Sequence, residues 1–353
     1  MNSNSIPTDG FRKLAYFAVA ITFGLVVVGG VVRISDSGLG CGPEGAGTEG
    51  WPLCGGRLLP LVDANMIIEY SHRVLATALA ISIGLLALLA WRRYRGNRGL
   101  VRVTTAAFWL VLLQAALGGL TVEKGLKEEL VAAHLGVAMI QIGLLILVAY
   151  LARSPAAGRP SPRALRSTGD RGGGRPAAVP QGIRVLSLAA TAAVLATIVA
   201  GGYMSASELK GTSEQSPGVH TACGTDFPAC GGEIMPFGRS RELDIHLTHR
   251  AFMYAASALV LALLAAVMWA RRRRSIDPAL VIAAVGSAAV LVVQVLLGAL
   301  NVWLGEHAWL VVTHLTVGTL LWCSLVLVTL IGLRAPQAAA ARVPRESVQA
   351  VPA

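Results

Sequence analysis

Eight apolar runs, each long enough to cross a bilayer, decide most of what this chain can become. They lie near residues 14–34, 67–91, 104–122, 130–151, 184–205, 245–269, 279–303 and 309–333. A hydrocarbon core of roughly 30 Å takes about 20 helical residues, and no open backbone can stand in lipid without an internal partner for each N–H and C=O. With 54% of residues hydrophobic and 14% charged, a water-soluble fold would leave far too much apolar surface wet. The expected fold class is therefore all-α integral membrane, with eight transmembrane helices. The first run is long and has no small-residue cleavage pattern after it, so it reads as a helix of the fold and not as a cleaved signal peptide.

The second constraint is repetition. Gln114-Ala-Ala-Leu117-Gly118 leads to His134-Leu135, and Gln294-Val-Leu-Leu297-Gly298 leads to His314-Leu315 at the same spacing. Earlier in each half, Trp51-Pro-Leu-Cys54-Gly-Gly precedes His72-Arg73, while Phe227-Pro-Ala-Cys230-Gly-Gly precedes His249-Arg250. Such matched spacing predicts two repeated four-helix bundles. We read an N-terminal half at 1–151, a flexible cytoplasmic linker rich in Arg, Pro, Gly and Ser at 152–183, a C-terminal half at 184–333 and a disordered tail at 334–353.

Basic residues gather in alternate connections: Arg92, Arg93, Arg95, Arg98 and Arg102, then seven arginines between 153 and 184, then Arg271 to Arg274. The other connections carry more acidic than basic residues. By the positive-inside rule the arginine-rich loops and both termini are cytoplasmic and the intervening loops extracytoplasmic, as in a multi-pass protein of the cell membrane. The net charge of +11 then reports topology and contact with anionic lipid. Nucleic acid is not an expected partner, because no basic stretch is interleaved with exposed aromatics. Cys41, Cys54, Cys223 and Cys230 all fall in the two long outer loops, which predicts one disulfide per loop, Cys41 with Cys54 and Cys223 with Cys230. Staples for long loops and redox-active pairs are both open readings.

Four of the seven histidines lie inside the apolar runs at corresponding places in the two halves: His72, His134, His249 and His314. Each sits within about two turns of the outer end of an even-numbered helix, so the four imidazoles share one depth. One membrane histidine alone is as readily an interhelical hydrogen bond. Four at one level suit bis-histidine ligation of haem iron inside an apolar cage. Zinc is the poorer candidate, since no Cys or acidic ligand shares that depth. The simplest pairing is within a half, His72 with His134 and His249 with His314, although pairing across halves is open. Arg73 and Arg250 follow the first histidine of each pair and are candidate contacts for haem propionates, with interfacial snorkelling as the alternative.

The halves differ at Glu69, three residues before His72 and on the same helical face, where the second half has His246. A carboxylate beside a porphyrin pocket is costly to bury and suits a general acid or base; the plain alternative is a glutamate facing water at the membrane surface. This makes the first half the candidate catalytic half.

With Glu69-Tyr-Ser-His72-Arg73, the outer-loop Trp-Pro-x-Cys, the segment Gly29-Gly30-Val-Val-Arg33-Ile-Ser-Asp-Ser-Gly38-Leu-Gly-Cys41 and the four matched histidines, the chain resembles the haem A synthase family over nearly everything between residues 14 and 333. That resemblance implies an oxidoreductase of haem biosynthesis and cytochrome oxidase assembly, which oxidises the C8 methyl group of haem O to a formyl group with oxygen from water. It implies that His72 and His134 hold the substrate haem, that His249 and His314 ligate a resident haem b (iron protoporphyrin IX) assisting electron transfer, and that Glu69 takes part in the chemistry. The expected partners are haem O, haem O synthase, an electron-transfer protein, membrane lipid and further copies of the chain in a homo-oligomer. The competing classes are a di-haem b electron-transfer membrane cytochrome that leaves its haems unmodified and a transporter built from repeated halves.

Overall fold

The computed structural model describes residues 7–58, 63–153, 179–207, 218–273, 276–305 and 307–333. Most of the linker expected at 152–183 and the tail from 334 lie outside them. Eight helices dominate the fold: α1 (Asp9–Ile34), α2 (Ala64–Arg93), α3 (Arg98–Glu123), α4 (Glu128–Leu151), α5 (Gln181–Ser207), α6 (Arg241–Arg273), α7 (Pro278–Leu304) and α8 (Ala308–Gly332). All eight are long and apolar enough to cross a membrane.

Several helices run past the apolar segment that predicts them, α6 by four residues at each end. The extra turns carry charge, Arg241, Glu242 and Asp244 at one end of α6 and Arg271–Arg273 at the other, as suits helix ends in the polar headgroup layer. Polar caps start these turns by accepting otherwise orphaned backbone N–H groups: Asp63 Oδ1 from Asn65 at 3.1 Å, Asn97 Oδ1 from Leu100 at 3.1 Å and Asp277 Oδ1 from Ala279 at 2.9 Å. Large apolar side chains such as Ile81, Trp109 and Ile282 point outward, an arrangement that lipid tolerates and water does not.

Helices α1 to α4 touch in a ring, α1–α2–α3–α4–α1, and α5 to α8 do the same. Even-numbered helices therefore occupy opposite corners of each ring. The rings meet where α1 and α4 pack on α5 and α8. One apolar core fills the first ring around Ile83, Leu86, Leu145 and Val148. A second links α4 to the other ring through Met139, Ile142, Trp322 and Leu325, and Trp322 Nε1 donates to the Met139 carbonyl at 2.9 Å. Glycines permit close approach at this seam. A Cβ on Gly30 of α1 would stand 2.8 Å from Leu315 Cδ2 of α8, and one on Gly202 of α5 would stand 2.8 Å from Leu135 Cδ2 of α4. Each ring thus lodges the leucine that follows the other ring's last helical histidine, and small residues are how membrane helices approach without a hydrophobic driving force.

Candidate functional site

The outer loops reach back onto the helices through Arg73 and Arg250. Arg73 donates to the carbonyls of Gly50 (2.6 Å) and Leu53 (2.7 Å) and pairs with Glu69. Arg250 donates to the carbonyls of Ala229 (2.7 Å) and Asp226 (2.9 Å) and, through Nε, to His246 Nε2 at 2.8 Å. His246 Nδ1 lies 2.9 Å from the Val219 carbonyl oxygen, a contact in which Nδ1–H donates. Both loops are closed by a disulfide, Cys41–Cys54 and Cys223–Cys230. In the first loop the Cys41 backbone N–H donates to Glu69 Oε2 at 2.7 Å, so this carboxylate is buried between an arginine and the disulfide-bonded segment. Two protein partners on a buried carboxylate are what keeps its desolvation tolerable.

Beneath the loops lies one cavity of about 960 Å³ that extends into both rings, near the top of the roughly 300–1,000 Å³ range of small-molecule pockets. Glu69, His72 and His134 line it in the first ring, and His246, His249 and His314 in the second. Arg73 and Arg250 border it as well. The structure brings together every residue that the sequence singled out in the helices.

Each of the four matched histidines rests against a glycine of the preceding helix. A Cβ on Gly29 would lie 3.4 Å from His72 Nε2, and Cβ atoms on Gly118, Gly201 and Gly298 would lie 3.0, 2.9 and 3.1 Å from Cε1 of His134, His249 and His314. The odd helices therefore supply flat backbone for imidazoles projecting from the even ones. Sequence reasoning missed this role, though the signal was available: Gly29-Gly30 recurs as Gly201-Gly202, and Gly118 as Gly298, in the repeat.

Hydrogen bonding sets the rings apart. His249 Nδ1 lies 3.1 Å from the Thr197 carbonyl, a contact that fixes the tautomer with Nε2 free for a ligand. Gln114 Nε2 donates to the His134 carbonyl at 2.9 Å, whereas Gln294 Nε2 lies 3.2 Å from His314 Nε2 itself. His134 Nδ1 and His314 Nδ1 are buried with no hydrogen-bond partner. Apolar walls, imidazoles on opposite corners and unsatisfied ring nitrogens fit an iron porphyrin better than a small polar ligand.

The fold and this cavity define a class: a multi-pass helical membrane protein with an interior pocket ringed by histidines. The chain belongs to the family described as cytochrome oxidase assembly protein (COX15-CtaA), whose sequence profile matches residues 12–326. Among similar proteins are the Heme A synthase of Halalkalibacterium halodurans, 28% identical over 324 residues covering 91% of this chain and 97% of that one, and that of Alkalihalophilus pseudofirmus, 28% identical over 74% of this chain and 78% of the other. A third, from Bacillus pumilus, is 34% identical over 145 residues, 39% of this chain and 44% of that protein.

Proposed function

We propose that this protein is a haem A synthase that oxidises the C8 methyl group of haem O to a formyl group. The observation that carries the reading is one apolar cavity holding four glycine-seated histidines together with a buried glutamate, Glu69, which among the described lining residues has no counterpart glutamate in the second ring. Relatives that cover nearly the whole chain and bear the name Heme A synthase support it. Conversion of –CH3 and water to –CHO releases four electrons and four protons, so the site must hold the macrocycle, accept protons and pass electrons on.

In this reading His72 and His134 hold the substrate haem within residues 1–151, and His249 and His314 hold a haem b within residues 184–333. When bound, that haem b supplies one-electron redox chemistry. Glu69 is the proton acceptor, with Oε1 paired to Arg73 and Oε2 anchored on the Cys41 N–H. Arg73 and Arg250, each with guanidinium donors beyond those held by the loops, meet the propionates. The Cys41–Cys54 disulfide, one hydrogen bond from Glu69, keeps that carboxylate in register. The orientation follows the charge map, with outer loops and site extracytoplasmic and termini cytoplasmic in the cell membrane. Haem O synthase supplies the substrate and a further redox protein takes the electrons.

Expression with a source of haem O, followed by haem extraction from the membranes, tests the reading: haem A must accumulate. Glu69→Gln keeps both haems bound and lowers haem A output at least about a hundredfold, the scale of a lost general base. Two unmodified haems from the unaltered protein would instead make it a di-haem cytochrome.

A further inference from the structure

We infer that the inner end of the first ring's cavity is a subsite for a hydrogen-bonding substituent on the substrate macrocycle, and that Gln141 reads it. Gln141 is 1% exposed, lines the cavity, and has no partner for either Oε1 or Nε2. It stands on α4 two turns below His134, and the same helical face continues through Ala138 above it to Leu145 and Val148 in the first ring's core. Helical side chains lean toward the helix N-terminus, which carries this amide back toward the imidazole level. An amide offers two donors and an acceptor, and leaving it unpaired in apolar surroundings is costly. A neutral polar group on the ligand removes that cost.

The second ring lacks this feature. By the repeat offset that matches His134 to His314, Gln141 corresponds to Leu321, which also lines the cavity. Thr22, which also lines the cavity, corresponds to Val194 by the offset that matches Gly29 to Gly201. The hydroxyls that the second ring does bring, Thr197 and Ser257, are held within their own helices by Ala193 O at 2.8 Å and Met253 Sδ at 3.8 Å. Thr22 is likewise bonded to Ala18 O at 2.6 Å. Gln114, Gln294 and Asn301 of the cavity lining each leave an amide oxygen unpartnered but commit their nitrogen, so among the described lining amides Gln141 is the one with both atoms unspent.

This inference rests on the haem O reading. Haem O carries a hydroxyl on the carbon that joins its farnesyl chain to the macrocycle, whereas haem b has a vinyl group there. Gln141 hydrogen-bonds that hydroxyl, so the first ring favours haem O while Leu321 leaves the second ring suited to a hydrocarbon edge. A polar group built to meet a ligand hydroxyl discriminates strongly against ligands lacking one.

The test is a Soret titration of the purified protein, carrying its second-ring haem, with haem O and with haem b. Gln141→Leu lowers affinity for haem O roughly ten- to a hundredfold and changes haem b affinity little, the range set by one buried hydrogen bond. The farnesyl chain contributes equally in both proteins, so the change in ratio isolates the hydroxyl. Gln141→Met, closer in shape, must behave the same, and an unchanged second-ring Soret band verifies that each variant is folded. An affinity ratio unmoved by both substitutions overturns the subsite even if haem A is still made. Absence of haem A from the unaltered protein removes the enzyme reading whatever the ratio does.

Discussion

Gly201 shows how little room the histidines have. A Cβ there would lie 2.9 Å from His249 Cε1 and 3.2 Å from Nδ1, inside ordinary van der Waals contact, and His249 is also tied to the Thr197 carbonyl. Gly201→Ala must therefore break that bond or turn the ring; under the proposed function, in which His249 holds a haem, it is expected to cut haem occupancy of the second ring several-fold in the purified protein, read from the Soret-to-280 nm ratio. Gly24→Ala, where a Cβ meets nothing within 4 Å, is the matched control and leaves the ratio unchanged. At this scale the sequence was only half legible. His72, His134, His249, His314 and Glu69 stand out because polar groups are rare in apolar runs. Their glycine seats do not, because a glycine in a membrane helix has many uses and only the packing shows which atom it makes room for.

Between elements, the rings are held by a few directional contacts within a broad apolar seam. Trp322 of α8 is 6% exposed and donates to Met139 O of α4. Trp322→Phe keeps most of the ring and loses the bond, a cost of about 0.6 kcal/mol on the scale of membrane interhelical hydrogen bonds. Trp322→Ala empties the site and is expected to cost about 3–5 kcal/mol. Reversible unfolding in mixed micelles separates the two, and equal losses would mean that packing there is slack. Helix number and approximate position were readable from apolar run length. The helix ends were not, since they depend on caps such as Asp63 and on charged turns like Arg271–Arg273, which hydropathy alone passes over. Nor was the reciprocal lodging of Leu135 against Gly202 and Leu315 against Gly30, which needs both rings in place.

For the whole molecule, the orientation proposed from charge asymmetry can be tested directly. If the arginine-rich connections are cytoplasmic, a cysteine at Glu49 reacts with an impermeant maleimide in intact cells, and one at Arg95 reacts only after the membrane is opened. The reverse pattern would place the histidine level at the cytoplasmic leaflet and the outer disulfides in a reducing compartment.

What the sequence alone determined was a membrane-spanning all-helical chain, a doubled pattern and a short set of polar residues at one depth, because bilayer thickness and helical rise convert directly into residue spacing. What only the tertiary structure decided was which groups meet: that α2 and α4 take opposite corners of a ring, that Arg73 and Arg250 are gripped by loop carbonyls, and that Gln141 is left without a partner. Those outcomes depend on side-chain volumes and on which backbones can come close, and a one-dimensional pattern does not carry either quantity.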